Sequence, residues 1–250
     1  MKAVVVIPAR FKSSRFPGKP LVNLLGKPMI LWVAELSAKA VGQENVFVAT
    51  EDDRIAQVVE GAGFNVVMTS SKALTGTDRL AEAAQQIEAD IYINVQGDEP
   101  LIDPVDIQKV LELKKVAMDS VVNGYCWIDD AEDPNSVNIP KVVTTEKGDL
   151  MYMSRLPVPG FKDPAVAPSR YKKQVCIYGF TRQQLDSYAS FGRKGEVESS
   201  EDIEILRFLE LGVPVKMVET SGGSLAVDVP TDVDVVERAL QELGFELAKV

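Results

Sequence analysis

The sequence predicts an α/β protein: a doubly wound, mostly parallel sheet with a small β-rich lobe inserted late in the chain. Three observations carry this expectation. Short apolar runs at 4–7, 46–49, 66–68 and 91–95 read as strands buried on both faces. The segments between them show helical apolar spacing, and such a β-α-β-α-β alternation closes with right-handed crossovers. Beyond about residue 140 the alternation fails, and short strand-like runs are separated by Pro157, Pro159, Pro164 and Pro168. A single domain over 1–250 is expected, with the lobe at about 140–195.

The first strand ends at Pro8, which has no N–H for a further rung. The loop after it carries Arg10, Lys12, Arg15 and Lys19, with Ser13, Ser14 and Gly18 among them. Its Pro17-Gly18-Lys19-Pro20 turn can aim backbone N–H groups at a ligand. In a chain of net charge −10, so many cations on one loop indicate a cradle for a small polyphosphate rather than a solvated basic loop. The P-loop pattern fails twice, because Ser13 replaces its first glycine and Pro20 its metal-binding hydroxyl.

The next helix opens near Pro28, with Met29, Val33, Leu36 and Ala40 as its stripe. After the second strand, Glu51, Asp52 and Asp53 suit a helix N-terminus, and Gly61 and Gly63 mark that helix's end. Gly76-Thr77-Asp78-Arg79 opens a further helix, which Thr77 or Asp78 would cap. Gln96-Gly97-Asp98-Glu99-Pro100 leaves the carboxyl end of strand 91–95, where open α/β sheets bind ligands. Asp98 is thereby placed to hold Mg²⁺ for a triphosphate. A helix is expected from 104 to about 115 and strands at 120–126, 142–143, 150–154 and 175–180. Ser199 or Ser200 would cap an acidic helix. Strands follow near 215–218 and 224–227, with Asp228 at the end of the second. Val233, Val236, Leu240 and Leu243 mark a last helix expected to pack back on the sheet.

Composition removes whole classes of chemistry. The chain has no histidine, so imidazole bases, Ser-His-Asp triads and His-ligated zinc are excluded. Cys126 and Cys176 are too few for a disulfide framework and read as buried thiols. The acidic balance argues against nucleic acid as a partner. No apolar run is long enough for membrane insertion, and the start of the chain has no leader architecture, so a cytoplasmic protein is expected.

Three segments in order carry a resemblance: 9–21 (ARFKSSRFPGKPL), 76–79 (GTDR) and 94–100 (NVQGDEP). Together they resemble the sugar-acid cytidylyltransferases. The resemblance implies a nucleotide-diphospho-sugar transferase-like fold, CTP and a sugar acid as ligands, Mg²⁺ as cofactor and a homodimer. It implies that Arg10, Arg15 and Lys19 meet phosphates, and that Ala9, Ser14, Gly76, Arg79 and Gln96 hold the nucleotide. It also implies a second metal carboxylate at Asp228 beside Asp98. Arg155 would pair with the sugar's carboxylate, and Gln174, Tyr178 and Glu204 would hold its hydroxyls. The first sugar expected is 3-deoxy-manno-octulosonate (Kdo). Alternatives are its 8-amino analogue, a sialic acid, or a homologue that binds nucleotide without catalysis. At Gln174 the pattern departs from the family, many of whose members carry His there. On an alternating strand Gln174, Cys176 and Tyr178 share one face, and a neutral Gln would tolerate an amino sugar better than a cationic His.

Overall fold

The computed structural model describes residues 1–12, 16–130 and 132–245. β1 (Ala3–Ala9) is followed by a two-strand hairpin, β2 (Asn23–Leu24) and β3 (Lys27–Pro28), and by α1 (Met29–Val41). Then come β4 (Val46–Thr50), α2 (Asp53–Gly61), β5 (Asn65–Met68), α3 (Gly76–Ala84), β6 (Ile91–Val95), α4 (Pro104–Val116) and β7 (Val121–Trp127). The rest of the chain forms β8 (Lys141–Thr144), β9 (Leu150–Ser154), β10 (Lys172–Phe180), α5 (Arg182–Ser190), α6 (Glu196–Glu201), α7 (Leu206–Glu210), β11 (Val215–Glu219) and α8 (Asp232–Glu242).

The main sheet runs β11-β7-β10-β6-β1-β4-β5. β1 pairs in parallel with β4 and β6, and β4 with β5 and β7 with β11 likewise. β10 alone in that order runs against its neighbours, antiparallel to both β6 and β7. Alternate residues of β1 and β6 feed two cores on opposite faces, one under α1, α2 and α4, the other under α3 and α5. The doubly wound α/β expectation is therefore met. Residues 172–180 lie inside the range read as a lobe, yet they form a central strand of the main sheet. Their pattern is that of a central strand, since Val175, Ile177, Tyr178 and Phe180 are all buried. The hairpin β8–β9 branches from the start of β10.

Two late expectations need correction. Residues 224–227 are not a strand; they have no ladder partner and are tied by Val227 N donating to Asp98 O and Ser224 Oγ donating to Glu99. α8 does not pack on the sheet, whose faces the other helices already cover. Val236 and Leu240 instead join Leu24, Leu25, Met29 and Trp32 in a separate cluster, and Leu243 is exposed.

Lys114 is wholly buried at the end of α4. Its ammonium donates to Met118 O (2.9 Å), Ser120 O (2.5 Å) and Gln184 Oε1 (2.9 Å). Gln184 also forms the capping box of α5 with Thr181, so one cation ties the two helices across the sheet edge. Lys114→Met should lower stability by about 3 kcal/mol, because buried acceptors lose their donor. The check is a lower urea midpoint with an unchanged slope.

Candidate active site

The basic loop is closed at its base by Gly18 N donating to Phe11 O (2.9 Å). Gly18 sits at φ +73°, a region that disfavours other residues, and a Cβ there would press on the Phe11 ring at 3.1 Å. The turn sends Lys19 inward. Its Nζ lies 2.7 Å from Asp98 Oδ2 and 3.4 Å from Asp228 Oδ1. Ala9, Arg10 and Lys12 line the cleft beside it. Ser14 and Arg15 lie outside the described residues.

The second wall is the N-terminus of α3. Its cap is Thr75, whose hydroxyl accepts from Asp78 N (3.1 Å), not Thr77 or Asp78 as the sequence reading had it. Thr77 and Asp78 have other tasks. Glu204 accepts from Gly76 N (3.1 Å), Thr77 N (2.8 Å) and Thr77 Oγ1 (2.5 Å), so a carboxylate from a distant segment also caps this helix. Asp78 accepts from Arg207 Nη1 (3.0 Å), and Arg207, wholly buried, also donates to both oxygens of Glu198 (2.6 and 2.7 Å). Ser199 and Ser200 are inside α6 and cap nothing; its preceding residue is Gly195, whose N–H donates to Glu198 (2.8 Å). Arg79 is buried in this wall. Its Nη2 is in ion-pair contact with Glu51 Oε2 (2.8 Å), and its Nη1 donates to Thr69 Oγ1 (2.5 Å). Burial lowers the Arg79 pKa, against the pull of Glu51.

The third wall leaves β6. Gly97 is needed because a Cβ would meet Pro8 O at 3.0 Å, where the ends of β1 and β6 approach. Asp98 O accepts from Val227 N (3.0 Å), which carries Asp228 to its place. Three more carboxylates hold that segment. Asp106 accepts from Ser221 N and Oγ (3.0 and 2.5 Å), Glu99 accepts from Ser224 Oγ, and Asp232 accepts from Asp228 N (2.7 Å) and Val229 N (2.9 Å). Burial and the neighbouring Asp98 push Glu99 up to about 7, although the Ser224 hydrogen bond opposes them.

The fourth wall is the start of β10, where Gln174, Cys176 and Tyr178 line one cavity as the alternation implies. Burial raises the thiol and phenol pKa values of Cys176 and Tyr178, keeping both neutral. Arg155 lines the same cavity, but its guanidinium is committed to carbonyls. It donates to Glu201 O (2.5 Å), Val137 O (2.7 Å) and Asp202 O (2.9 Å).

These walls enclose two cavities. One, of about 350 Å³, lies among the basic loop, α3 and the end of β6. The other, of about 860 Å³, lies toward β10, Arg155 and the 221–228 segment. Arg10, Gln96, Asp98, Glu204 and Asp228 border both. Among the described residues no group of three or more His, Cys, Asp or Glu is arranged to hold a metal ion by itself. Asp98 and Asp228 meet on a single ammonium, however, and such a pair of hard oxygen donors fits Mg²⁺ when phosphate oxygens and water complete the shell.

Comparison with known proteins gives this arrangement its class. The fold and its polar double cavity are those of a nucleotidyl-transferring α/β enzyme. A family model described as "Cytidylyltransferase" matches residues 4–216. A 3-deoxy-manno-octulosonate cytidylyltransferase of Geobacter metallireducens is 44% identical over 95% of this chain and 98% of its own. That of Escherichia coli is 38% identical over 97% and 98%. The solved structure of a CMP:2-keto-3-deoxy-manno-octonic acid synthetase complexed with CTP superposes with a TM-score of 0.90 at 37% identity, covering 97% of this chain and 100% of that one. A cytidylyltransferase of Leptospira borgpetersenii, 18% identical with a TM-score of 0.63, shares the fold. The chain belongs to the cytidylyltransferase family, as its three motifs indicate.

Glu204→Gln should weaken CTP binding as well as sugar use. A carboxamide supplies one acceptor where the carboxylate takes three hydrogen bonds, so α3 loses its second cap. An increase of about tenfold in the KM for CTP is expected from a charge-assisted bond of this kind. Steady-state kinetics varying each substrate in turn would check it, and an effect on the sugar alone would count against the capping role.

Proposed function

We propose that the protein activates Kdo with CTP, giving CMP-Kdo and pyrophosphate. The observation that carries this reading is the shared border of the two cavities. A nucleotide triphosphate in the smaller and a sugar acid in the larger would meet at Arg10, Gln96, Asp98, Glu204 and Asp228. The anomeric hydroxyl of the sugar attacks the α-phosphorus and gives up its proton to solvent. A new O–P bond forms as the bond to the bridging oxygen breaks, and pyrophosphate leaves in line. Both chains of reactants are held by fixed groups, so positioning and electrostatics carry the rate.

In this reading Arg10, Arg15 and Lys19 neutralise the phosphates, and Ala9, Ser14, Gly76, Arg79 and Gln96 hold the nucleotide. Asp98 and Asp228 hold Mg²⁺. When bound, the metal supplies charge stabilisation at the transferring phosphoryl group. Arg155 reaches the sugar carboxylate with the N–H groups its carbonyl partners leave over, while Gln174, Tyr178 and Glu204 hold hydroxyls. A cytoplasmic homodimer completes the proposal. Its support is the apolar edge of β9 and the loop beyond it, where Met151, Leu156 and Phe161 are exposed.

Pyrophosphate release from CTP with Kdo, sialic acid and no sugar tests the reaction. Release with Kdo alone is expected; release with sialic acid alone, or none with either, would overturn the assignment. Lys19→Ala should cut kcat/KM by at least about a hundredfold with an unchanged circular dichroism spectrum, since a half-buried cation beside phosphates is lost. Asp98→Asn and Asp228→Asn should each abolish the Mg²⁺ dependence of the rate. Near-normal Mg²⁺-dependent rates in both would remove the two-carboxylate site.

A further inference from the structure

Asn123 lies wholly buried on β7, the strand that pairs with the β10 wall of the larger cavity. At this point the β7–β10 pairing shifts register between Val175 and Tyr178. The irregularity leaves two β10 carbonyls pointing at Asn123. Its Nδ2 donates to Val175 O (2.9 Å) and Ile177 O (2.8 Å). A carbonyl oxygen can only accept, so these two bonds decide which end of the Asn123 amide faces them. Oδ1 must then point the other way, toward Gln174.

Gln174 answers with its nitrogen. Nε2 lies 3.1 Å from Asn123 Oδ1 and 3.3 Å from the Tyr178 hydroxyl. An amide nitrogen has two hydrogens, and both are taken inside the wall. Gln174 borders the larger cavity, and Oε1 is the polar atom its side chain has left to offer there. Flipping the Gln174 amide would set its oxygen against Asn123 Oδ1, two acceptors with no proton between them. The orientation therefore follows from the backbone carbonyls, through Asn123, to the cavity surface.

We infer that Asn123 is a positioning residue that locks Gln174 as a hydrogen-bond acceptor, so that this wall selects a sugar acid carrying a donor, a hydroxyl or an amine, at the facing position. The inference rests on the sugar-acid reading of the cavity and adds to it the polarity of one contact. It also separates this wall from one built on a cationic imidazole, which presents N–H groups and favours an acceptor.

The test compares Kdo with analogues in which one hydroxyl at a time is replaced by fluorine, which cannot donate, or by an amine, which can. Pyrophosphate release with CTP gives kcat/KM for each in the unaltered protein, Gln174→Met and Asn123→Ala. At one position the fluorine analogue should lose at least about tenfold against the amine analogue, the scale of a single buried hydrogen bond. That preference should vanish in Gln174→Met and shrink in Asn123→Ala, with the KM for CTP unchanged in both. Equal tolerance of fluorine and amine at every position, or a preference that survives in Gln174→Met, would overturn the inference. Should Asn123→Ala not fold, ¹⁵N spectra of the unaltered protein decide, the Gln174 side-chain signal being assigned by its loss in Gln174→Met. Its amide hydrogens should exchange slowly and keep their shifts on adding Kdo; fast exchange or a large shift would mean that the nitrogen faces the ligand. A protein that turns over none of the sugar acids defeats the function itself, whereas turnover without a donor preference defeats only the lock.

Discussion

One ammonium stands between two carboxylates from distant parts of the chain, and the cleft depends on it. Lys19 and Asp228 are 209 residues apart in sequence, yet they meet at 3.4 Å, with Asp98 on the other side at 2.7 Å. Gathering Asp98, Glu99 and Asp228 in one partly desolvated place is electrostatically unfavourable; burial first, and then the charges of Asp98 and Asp228, raise the Glu99 pKa. The Lys19 charge offsets that repulsion. It can do so because Gly18 turns the chain and Pro20 ends the freedom of the loop. Everything that brings Asp228 inward works against the same repulsion, from the Asp106–Ser221 bonds to the clamp of Asp232 on the Asp228 backbone.

A second buried set of charges performs a mechanical task beside the smaller cavity. Arg207 joins Asp78 and Glu198 with its side chain fully removed from water, and its guanidinium lies 3.7 Å from the Tyr188 ring centre. Such a group is costly to desolvate and adds little net stability compared with a well-packed apolar cluster. Its geometric effect is definite: it fixes Asp78 and, through Thr75, the first turn of α3. Glu204 fixes the same turn from the cavity side. The helix end that carries Gly76 and Arg79 is thus held from behind and from in front.

Much of this was legible in the sequence, and what was not has a common cause. β1 and β6 are apolar runs whose length and bounding residues announce them, and the basic loop and Asp98 follow directly from where those strands stop. Glu51 reads as an ordinary first-turn acid because its partner Arg79 becomes a neighbour only when the sheet order is known. Thr75 was passed over because Thr77 and Asp78 are equally good caps by residue type. Asn123 looks like one polar residue in an apolar strand; its role needs the register shift in β10, which no local pattern encodes. The segment 224–227 has strand-like residues but takes no place in the sheet. Apart from the choice of cap at Thr75, local chemistry was readable where a residue's partner is its sequence neighbour, and failed where the partner arrives through topology.

The reversed direction of β10 has a consequence for how the cleft is divided. Because it runs against β6 and β7, it delivers its first residues, rather than its last, to the rim where the other strands end. The smaller cavity is lined mostly by residues before 100, with Glu204 and Asp228 joining from later in the chain, whereas the β10 side of the larger one is built by residues after it. Substitution can therefore accumulate at the head of β10 and on β7 beside it without disturbing the loop, turn and helix end that line the smaller cavity. The cleft is modular by stretch of chain: the lining of one cavity can stay fixed while that of the other is free to drift.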